Sequence, residues 1–435
     1  MTIEQLYDLY LQHPVISTDT RKIAAGSLFF ALKGDKFDAN TFAAQALEAG
    51  AAYAVIDNAA YRLSEKTILV DDVLSTLQDL ARYHRRQLQI PVIGLTGSNG
   101  KTTTKELINS VLSRQFNTLA TTGNLNNHIG VPLTVLSINN THQMAVVEMG
   151  ANHQKEIELL CSIARPTHGL ITNVGKAHLE GFGGLEGVKK GKGELYDYLK
   201  TSGGTAFVHA DSQELIHMQK ERSLEHVMYY GTDSLLNTII GNLVQSDPYL
   251  TLEWAAKDAG ADLHQITTQL TGAYNLPNIL AAICIGHYFK LSAIQINAGI
   301  EGYHPQNNRS QIVKTASNTL ICDYYNANPS SMLVAMENLN KLQAANKAMI
   351  LGDMFEMGPE AAAEHKAIIE AALRIPANEH IFVGSEFFEQ QTSQGTYYET
   401  AENAIDAIRA KPITNATVLI KGSRGMALER LVPLL

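Results

Sequence analysis

The sequence predicts an α/β protein of three domains: a small N-terminal α/β domain, a central, mainly parallel domain of the P-loop type and a C-terminal Rossmann-like domain. Three observations predict it. At 435 residues the chain is too long for one ordinary core. Strand-like apolar runs repeatedly precede helix-length amphipathic runs, the pattern of a parallel sheet covered by helices. And a glycine-rich turn, Gly94-Leu95-Thr96-Gly97-Ser98-Asn99-Gly100-Lys101-Thr102, joins one such strand to one such helix.

Residues 1–89 form the first domain, with strands at Ser27–Leu32 and Ala52–Ile56 and helices near Thr41–Ala49 and Val73–Gln87. Residues 90–304 form the second. Its first strand is Pro91–Leu95, and a β-richer insertion is expected from about Ala206 to Ala255. The turn-rich stretch Tyr303–Ser310 marks the next boundary, with Pro305–Ser310 as the natural hinge. Residues 305–435 alternate again, with strands expected at Thr319–Tyr324, Ala348–Leu351, Ile381–Gly384 and Thr417–Ile420.

Composition narrows the function. A formal net charge of -9 argues against bulk nucleic-acid or anionic-membrane binding and leaves room for a local basic cluster around one phosphorylated small molecule. Cys161, Cys284 and Cys322 are far apart and suggest buried free thiols, not a disulfide framework or a zinc site. No apolar run is long enough to span a bilayer, and Met1–Leu11 lacks a basic region before an apolar core, so the expectation is a cytoplasmic enzyme with no membrane insertion.

The glycine-rich turn reads as a phosphate cradle. Backbone N–H groups of Gly97, Ser98, Asn99 and Gly100 would close on phosphate oxygens at a helix N-terminus, with Lys101 on the terminal phosphates, Thr102 on magnesium and Thr103 beside them. Its register is unusual, because Leu95 stands where a strict P-loop has glycine. Parallel sheets bind ligands beyond the carboxyl ends of their strands. Glu148 closes the apolar run Ala145–Val147, and His178 follows the run Gly169–Thr172, so both converge on the cradle. Further on, Leu185, Val188, Lys192, Leu195 and Leu199 fall at helical spacing, which puts Lys192 on an inward stripe with Lys189 and Lys190 outside. Burial favours the neutral amine, the form that reacts with carbon dioxide.

The variant cradle resembles that of the Mur ligase family, which includes the folylpolyglutamate synthetases and joins an amino group to a carboxylate at the expense of ATP. Asn124–Pro132, Val147–Asn152, Ala177–Phe182, Asp323–Pro329, Thr18–Arg21 and Lys421–Arg424 extend the likeness over nearly the whole chain and point to the members that add D-alanyl-D-alanine. The resemblance implies ATP and Mg2+, with Lys101, Lys192, His178 and Arg309 as catalytic residues. It implies a metal set of Thr102, Glu148, His178 and Lys192, the lysine carbamylated. Tyr274, standing where a histidine is frequent, would face the adenine, with Asn275 and Asn278 bonded to it. Arg309 would reach the ATP phosphates and Asp323 the ribose.

The same resemblance implies UDP-N-acetylmuramoyl-tripeptide and D-alanyl-D-alanine as substrates in peptidoglycan synthesis, and a monomer. Thr20, Arg21 and Lys33 would meet the uridine diphosphate part, and Asn126 and Asn127 the substrate. Asn326 and Asn328 have two readings, recognition of phosphate or dipeptide carboxylate and an Asx turn capping a helix from Pro329. Lys421 and Arg424 read equally as partners of an anionic substrate and as a charged, solvated loop. Because Arg309 and Asp323 lie in a different domain from the cradle, the site is expected to close only when two domains meet.

Overall fold

The computed structural model describes the chain except Asp35, Asp233, Ser234, Ala261, Asn307 and the side chain of Ala259. The first unit is a four-stranded parallel sheet in the order Ile16–Ser17, Leu28–Phe30, Tyr53–Ile56, Thr67–Leu69. Leu28, Phe29 and Phe30 are all fully buried, as expected of a parallel strand covered on both faces. The helix Val73–Gln87 is capped by Asp72, whose carboxylate accepts from Ser75 N at 2.6 Å, and it buries Leu77, Leu80 and Ala81. This helix docks the first unit on the second. It packs against the helix Gly130–Leu136, His84 Nε2 lies 2.8 Å from Ile138 O, and Arg85 donates to Ala164 O at 2.8 Å.

The second unit is built on a nine-stranded sheet in the order His264–Thr267, Thr251–Ala256, Ile239–Gln245, Val227–Gly231, Thr205–His209, His168–Ile171, Val92–Thr96, Met144–Glu148, Thr118–Ala120. The segment 206–255, expected as an insertion, instead extends this sheet. Thr205–His209, Val227–Gly231 and Ile239–Gln245 run parallel, with the helix Gln213–Arg222 between the first two, and only Thr251–Ala256 and His264–Thr267 turn antiparallel. The reason is packing: Phe207, Tyr230 and Ile239 bury in one cluster with Ile279, Leu280 and Ile283 of the helix Leu276–Tyr288.

The third unit has a six-stranded sheet, Gln311–Lys314, Thr319–Asp323, Thr417–Lys421, Lys347–Gly352, Glu379–Val383, Thr396–Tyr398, parallel but for its first pair. One continuous apolar cluster joins the units, from Leu80 through Val147 and Leu195 to Met336 and Met354. Between the helix Ala293–Glu301 and the strand starting at Gln311, Asn308 and Ser310 take positive φ values of 58° and 49°. Asn307, inside the expected hinge, lies outside the described residues. All three cysteines are buried and free, and among the described residues no helix is long and apolar enough to cross a membrane.

Candidate active site

The cradle lies where sheet geometry places it. Val92–Thr96 sits between His168–Ile171 and Met144–Glu148, with Thr96 opposite Ile171 and Leu95 opposite Glu148, so the carboxyl ends of three parallel strands open on one side. Gly97 leaves the strand with φ 148°, and a Cβ there would lie 2.0 Å from Thr172 Oγ1. Gly100 takes φ 77° as N-cap of the helix Lys101–Leu112. The turn is tied to the loop after His168–Ile171: Asn99 N donates to Asn173 Oδ1 at 2.9 Å, Thr172 Oγ1 to Asn99 O at 2.6 Å and Ser98 Oγ to Gly175 O at 3.0 Å. Lys101 Nζ folds back onto Gly97 O at 2.7 Å. Burial holds this ammonium below its ordinary range; Glu148 opposes the shift and Arg309 reinforces it.

Beside the cradle, Glu148 is buried and accepts from Thr102 Oγ1 and Asn126 Nδ2, each at 2.9 Å. His178, at φ 52°, contacts Glu356 of the third unit through Nδ1. Lys192 lies on the helix Leu185–Ser202 as the period predicts, 1% exposed; Val188, Leu195 and Leu199 are buried with it, while Leu185 is exposed. Its Nζ donates to Ala151 O at 3.2 Å and stands 5.0 Å from the centre of the Phe182 ring. Burial first, then Lys101, pushes this amine well below the ordinary lysine range, against the pull of Glu156 and Glu194.

The third unit faces these groups. Arg309 lies 3.8 Å from the centre of the Tyr325 ring, and its Nε is buried with no hydrogen-bond partner among the described residues. Asp323 accepts from Ser310 N at 3.2 Å and Lys421 Nζ at 2.8 Å. Lys421 is 2% exposed and also donates to Asn326 O at 3.0 Å. It is therefore no solvated loop residue: its strand pairs in register with that of Asp323, which fixes the ion pair. Asn328 does two things at once. Its Oδ1 accepts from Ser331 N at 2.9 Å, capping the helix Pro329–Lys341, and its Nδ2 donates to Asn99 Oδ1 at 2.8 Å across the units.

A cavity of about 650 Å³ lies between the two units. Ser98, Asn99, Gly100, Lys101, Thr103, Asn126, Asn127, Glu148 and His178 of the second unit line it together with Tyr274, Asn275 and Asn278, and Arg309, Asp323, Asn326, Asn328 and Lys421 line it from the third. Tyr274 bonds Ser310 Oγ at 2.7 Å, and burial, then Asp323, raises its phenol. Asn278 Nδ2 donates to Asn275 Oδ1 at 3.0 Å, which leaves the Asn278 oxygen over Gly100. Gly97, Thr102 and Lys192 lie behind this lining. Thr20, Arg21 and Lys33 lie outside it: Arg21 pairs with its neighbour Asp19 at 2.8 Å, and Lys33 with Asp57 at 2.7 Å.

Three consecutive stretches match Mur ligase families: residues 14–85 the Mur ligase family, catalytic domain, 95–286 the Mur ligase middle domain, and 308–424 the Mur ligase, glutamate ligase domain. The chain belongs to the Mur ligase family. UDP-N-acetylmuramoyl-tripeptide--D-alanyl-D-alanine ligases of Escherichia coli K12 and Bacillus subtilis 168 are each 34% identical to this Mur ligase, over 96% of this chain and 92% of theirs. A crystal structure of MurF from Acinetobacter baumannii superposes with a TM-score of 0.87 at 30% identity, covering 99% of this chain and 98% of that one.

Two residues of this Mur ligase site escaped sequence reasoning. Tyr325 lies against Arg309 and, at 5.1 Å, against Arg424, a stacking arrangement that no spacing reveals. Glu356 follows the strand Lys347–Gly352, so the rule that picked out Glu148 and His178, a polar side chain just past a parallel strand, applies to it too.

Proposed function

We propose that this Mur ligase joins D-alanyl-D-alanine to a UDP-N-acetylmuramoyl-tripeptide at the expense of ATP, in the cytoplasmic phase of peptidoglycan synthesis. The observation that carries this reading is the cavity between the units, with a phosphate cradle on one wall and Arg309, Asp323 and Asn328 on the other. In this reading residues 1–89 receive the uridine diphosphate part through Thr20, Arg21 and Lys33, residues 90–304 bind ATP, and residues 305–435 bring the dipeptide through Asn326 and Asn328. One chain supplies both walls, which supports a monomer.

The residues fit the nucleotide and its metal. A Cβ at Gly100 would lie 2.9 Å from Asn278 Oδ1, in the space between two residues that line the cavity, and Arg309 Nε is buried without a partner among the described residues. Among the described residues no cluster of three or more carboxylate, imidazole or thiol groups forms a ready-made metal cage. The proposed set is mixed instead: Thr102, Glu148, His178 and a carbamylated Lys192 would hold magnesium, whose chemistry is to screen the phosphate charge. The carbamate arises when the neutral Lys192 amine adds to carbon dioxide, forming one N–C bond and releasing one proton.

The tripeptide carboxylate attacks the γ-phosphorus, the bond to ADP breaks, and an acyl phosphate results. Lys101 and Arg309 stabilise the charge that accumulates there. The dipeptide amine then attacks the acyl carbon, phosphate leaves, and the amine proton is lost. No side-chain nucleophile is needed. Phosphate release with nucleotide tripeptides ending in lysine or diaminopimelate, with and without D-alanyl-D-alanine, tests the reading. One phosphate per amide bond, dependent on the dipeptide, is expected; release indifferent to the dipeptide overturns it.

A further inference from the structure

We infer that Glu356 is the positioning residue for His178: it reaches from the third unit to hold the imidazole by Nδ1, leaving Nε2 as the ligand atom. This rests on the reading of His178 as a metal ligand. It goes further in making the metal side of the site depend on docking of the third unit.

The contact is built from both ends. His178 and Glu356 both take left-handed backbone conformations, φ 52° and 62°, which side chains other than glycine rarely adopt. The turn that presents Glu356 is pinned by three hydrogen bonds to His365 and Ser423. Met354 N donates to His365 Nε2 at 3.0 Å, Phe355 N to Ser423 Oγ at 2.9 Å, and Ser423 N to Asp353 O at 3.0 Å. Buried Asp353 in turn accepts from Glu386 N and Phe387 N. The loop that delivers the Glu356 carboxylate is therefore fixed, although the side chain itself is exposed. On the other side, Lys176 pairs with Glu364 at 2.5 Å, and Gly358 packs against Glu180, so the loop bearing His178 meets this segment at three points. His178 lines the cavity, Glu356 does not, and Nε2 has no hydrogen bond among the described residues. A ring nitrogen held by a carboxylate fixes the tautomer and orientation of the other, and such outer partners affect metal affinity by roughly 10- to 100-fold.

Mn2+ binding to the enzyme with a non-hydrolysable ATP analogue, followed by electron paramagnetic resonance, tests this without turnover. Glu356→Ala should weaken Mn2+ by about ten-fold or more. Glu356→Gln keeps an acceptor for Nδ1–H and should recover part of the loss. Glu364→Gln breaks only the neighbouring ion pair and should stay within about two-fold of the parent. Normal Mn2+ affinity in Glu356→Ala, with His178→Ala weakened, overturns the positioning role alone, as does an equal loss in Glu364→Gln. Normal affinity in His178→Ala removes the ligand reading and this inference with it.

Discussion

Replacing Lys192 by methionine separates the function of this side chain from its cost to the fold. Lys192 is 1% exposed and its amine sits well below the ordinary 10.5, with burial as the leading cause. The unfolded chain therefore binds a proton that the folded chain does not, from the depressed value up to about 10.5. In that window stability rises with pH, by about 1.4 kcal/mol per pH unit for one fully shifted group. Methionine has similar length and no proton to bind, so it removes this slope. It also removes the bond to Ala151 O, a constant offset of about 1 kcal/mol.

The stability difference, variant minus parent, should thus fall as pH rises toward 10.5, with a slope approaching about 1.4 kcal/mol per pH unit where the folded amine is neutral and the unfolded one charged, while ligation is abolished throughout. Urea unfolding in CO2-free buffer measures it. Trp254 is the one tryptophan of the chain, buried on a strand of the central sheet and bonded through Nε1 to Asn297 at 2.9 Å, so its fluorescence reports on the unit that holds Lys192. A pH-independent difference would mean that Lys192 is charged when folded. The neutral amine, and the carbamate chemistry built on it, would then fail together.

Two other expectations are simpler. Lys101→Ala should lose ATP-dependent ligation and keep its fold, since Nζ only folds back on the Gly97 and Ser98 carbonyls; circular dichroism and turnover measured together check it. Asn328→Ala removes both a helix cap and a bond to Asn99, so amides in the first turn of Pro329–Lys341 should exchange faster, by a local loss of about 1 kcal/mol, and the KM for ATP should rise.

Most of the site was legible because its determinants are local or follow from sheet geometry. Gly97 and Gly100 announce the cradle because the turn itself demands them. Glu148 and His178 follow from the rule about strand ends, and Lys192 from a helical period that no sheet is needed to see. What stayed hidden depends on pairing between distant segments. Lys421 reads as substrate partner or solvated loop until its strand is known to lie beside that of Asp323, where the pair becomes a buried brace. Glu356 is 178 residues from His178 in sequence, and only placement of the third unit brings them together. The segment 206–255 looked separate because its inward residues are covered by the later helix Leu276–Tyr288.

One helix ties His178 and Lys192 together. Leu185–Ser202 carries Gly187, Gly191 and Gly193, and interior glycine costs a helix about 1 kcal/mol each relative to alanine. Space explains the first two. A Cβ at Gly187 would lie 1.8 Å from Phe182 O, and one at Gly191 2.4 Å from the Phe182 ring. The turn Leu179–Phe182, which begins immediately after His178, can therefore seat against the helix only where the helix has no side chain. The same close approach brings the Phe182 ring to within 5.0 Å of Lys192 Nζ. His178 and Lys192 are thus fixed relative to each other by backbone packing within one unit, before any nucleotide or metal arrives. What that packing cannot fix is the rotation of the His178 ring about its own bonds, and this is the one freedom that the contact with Glu356 removes.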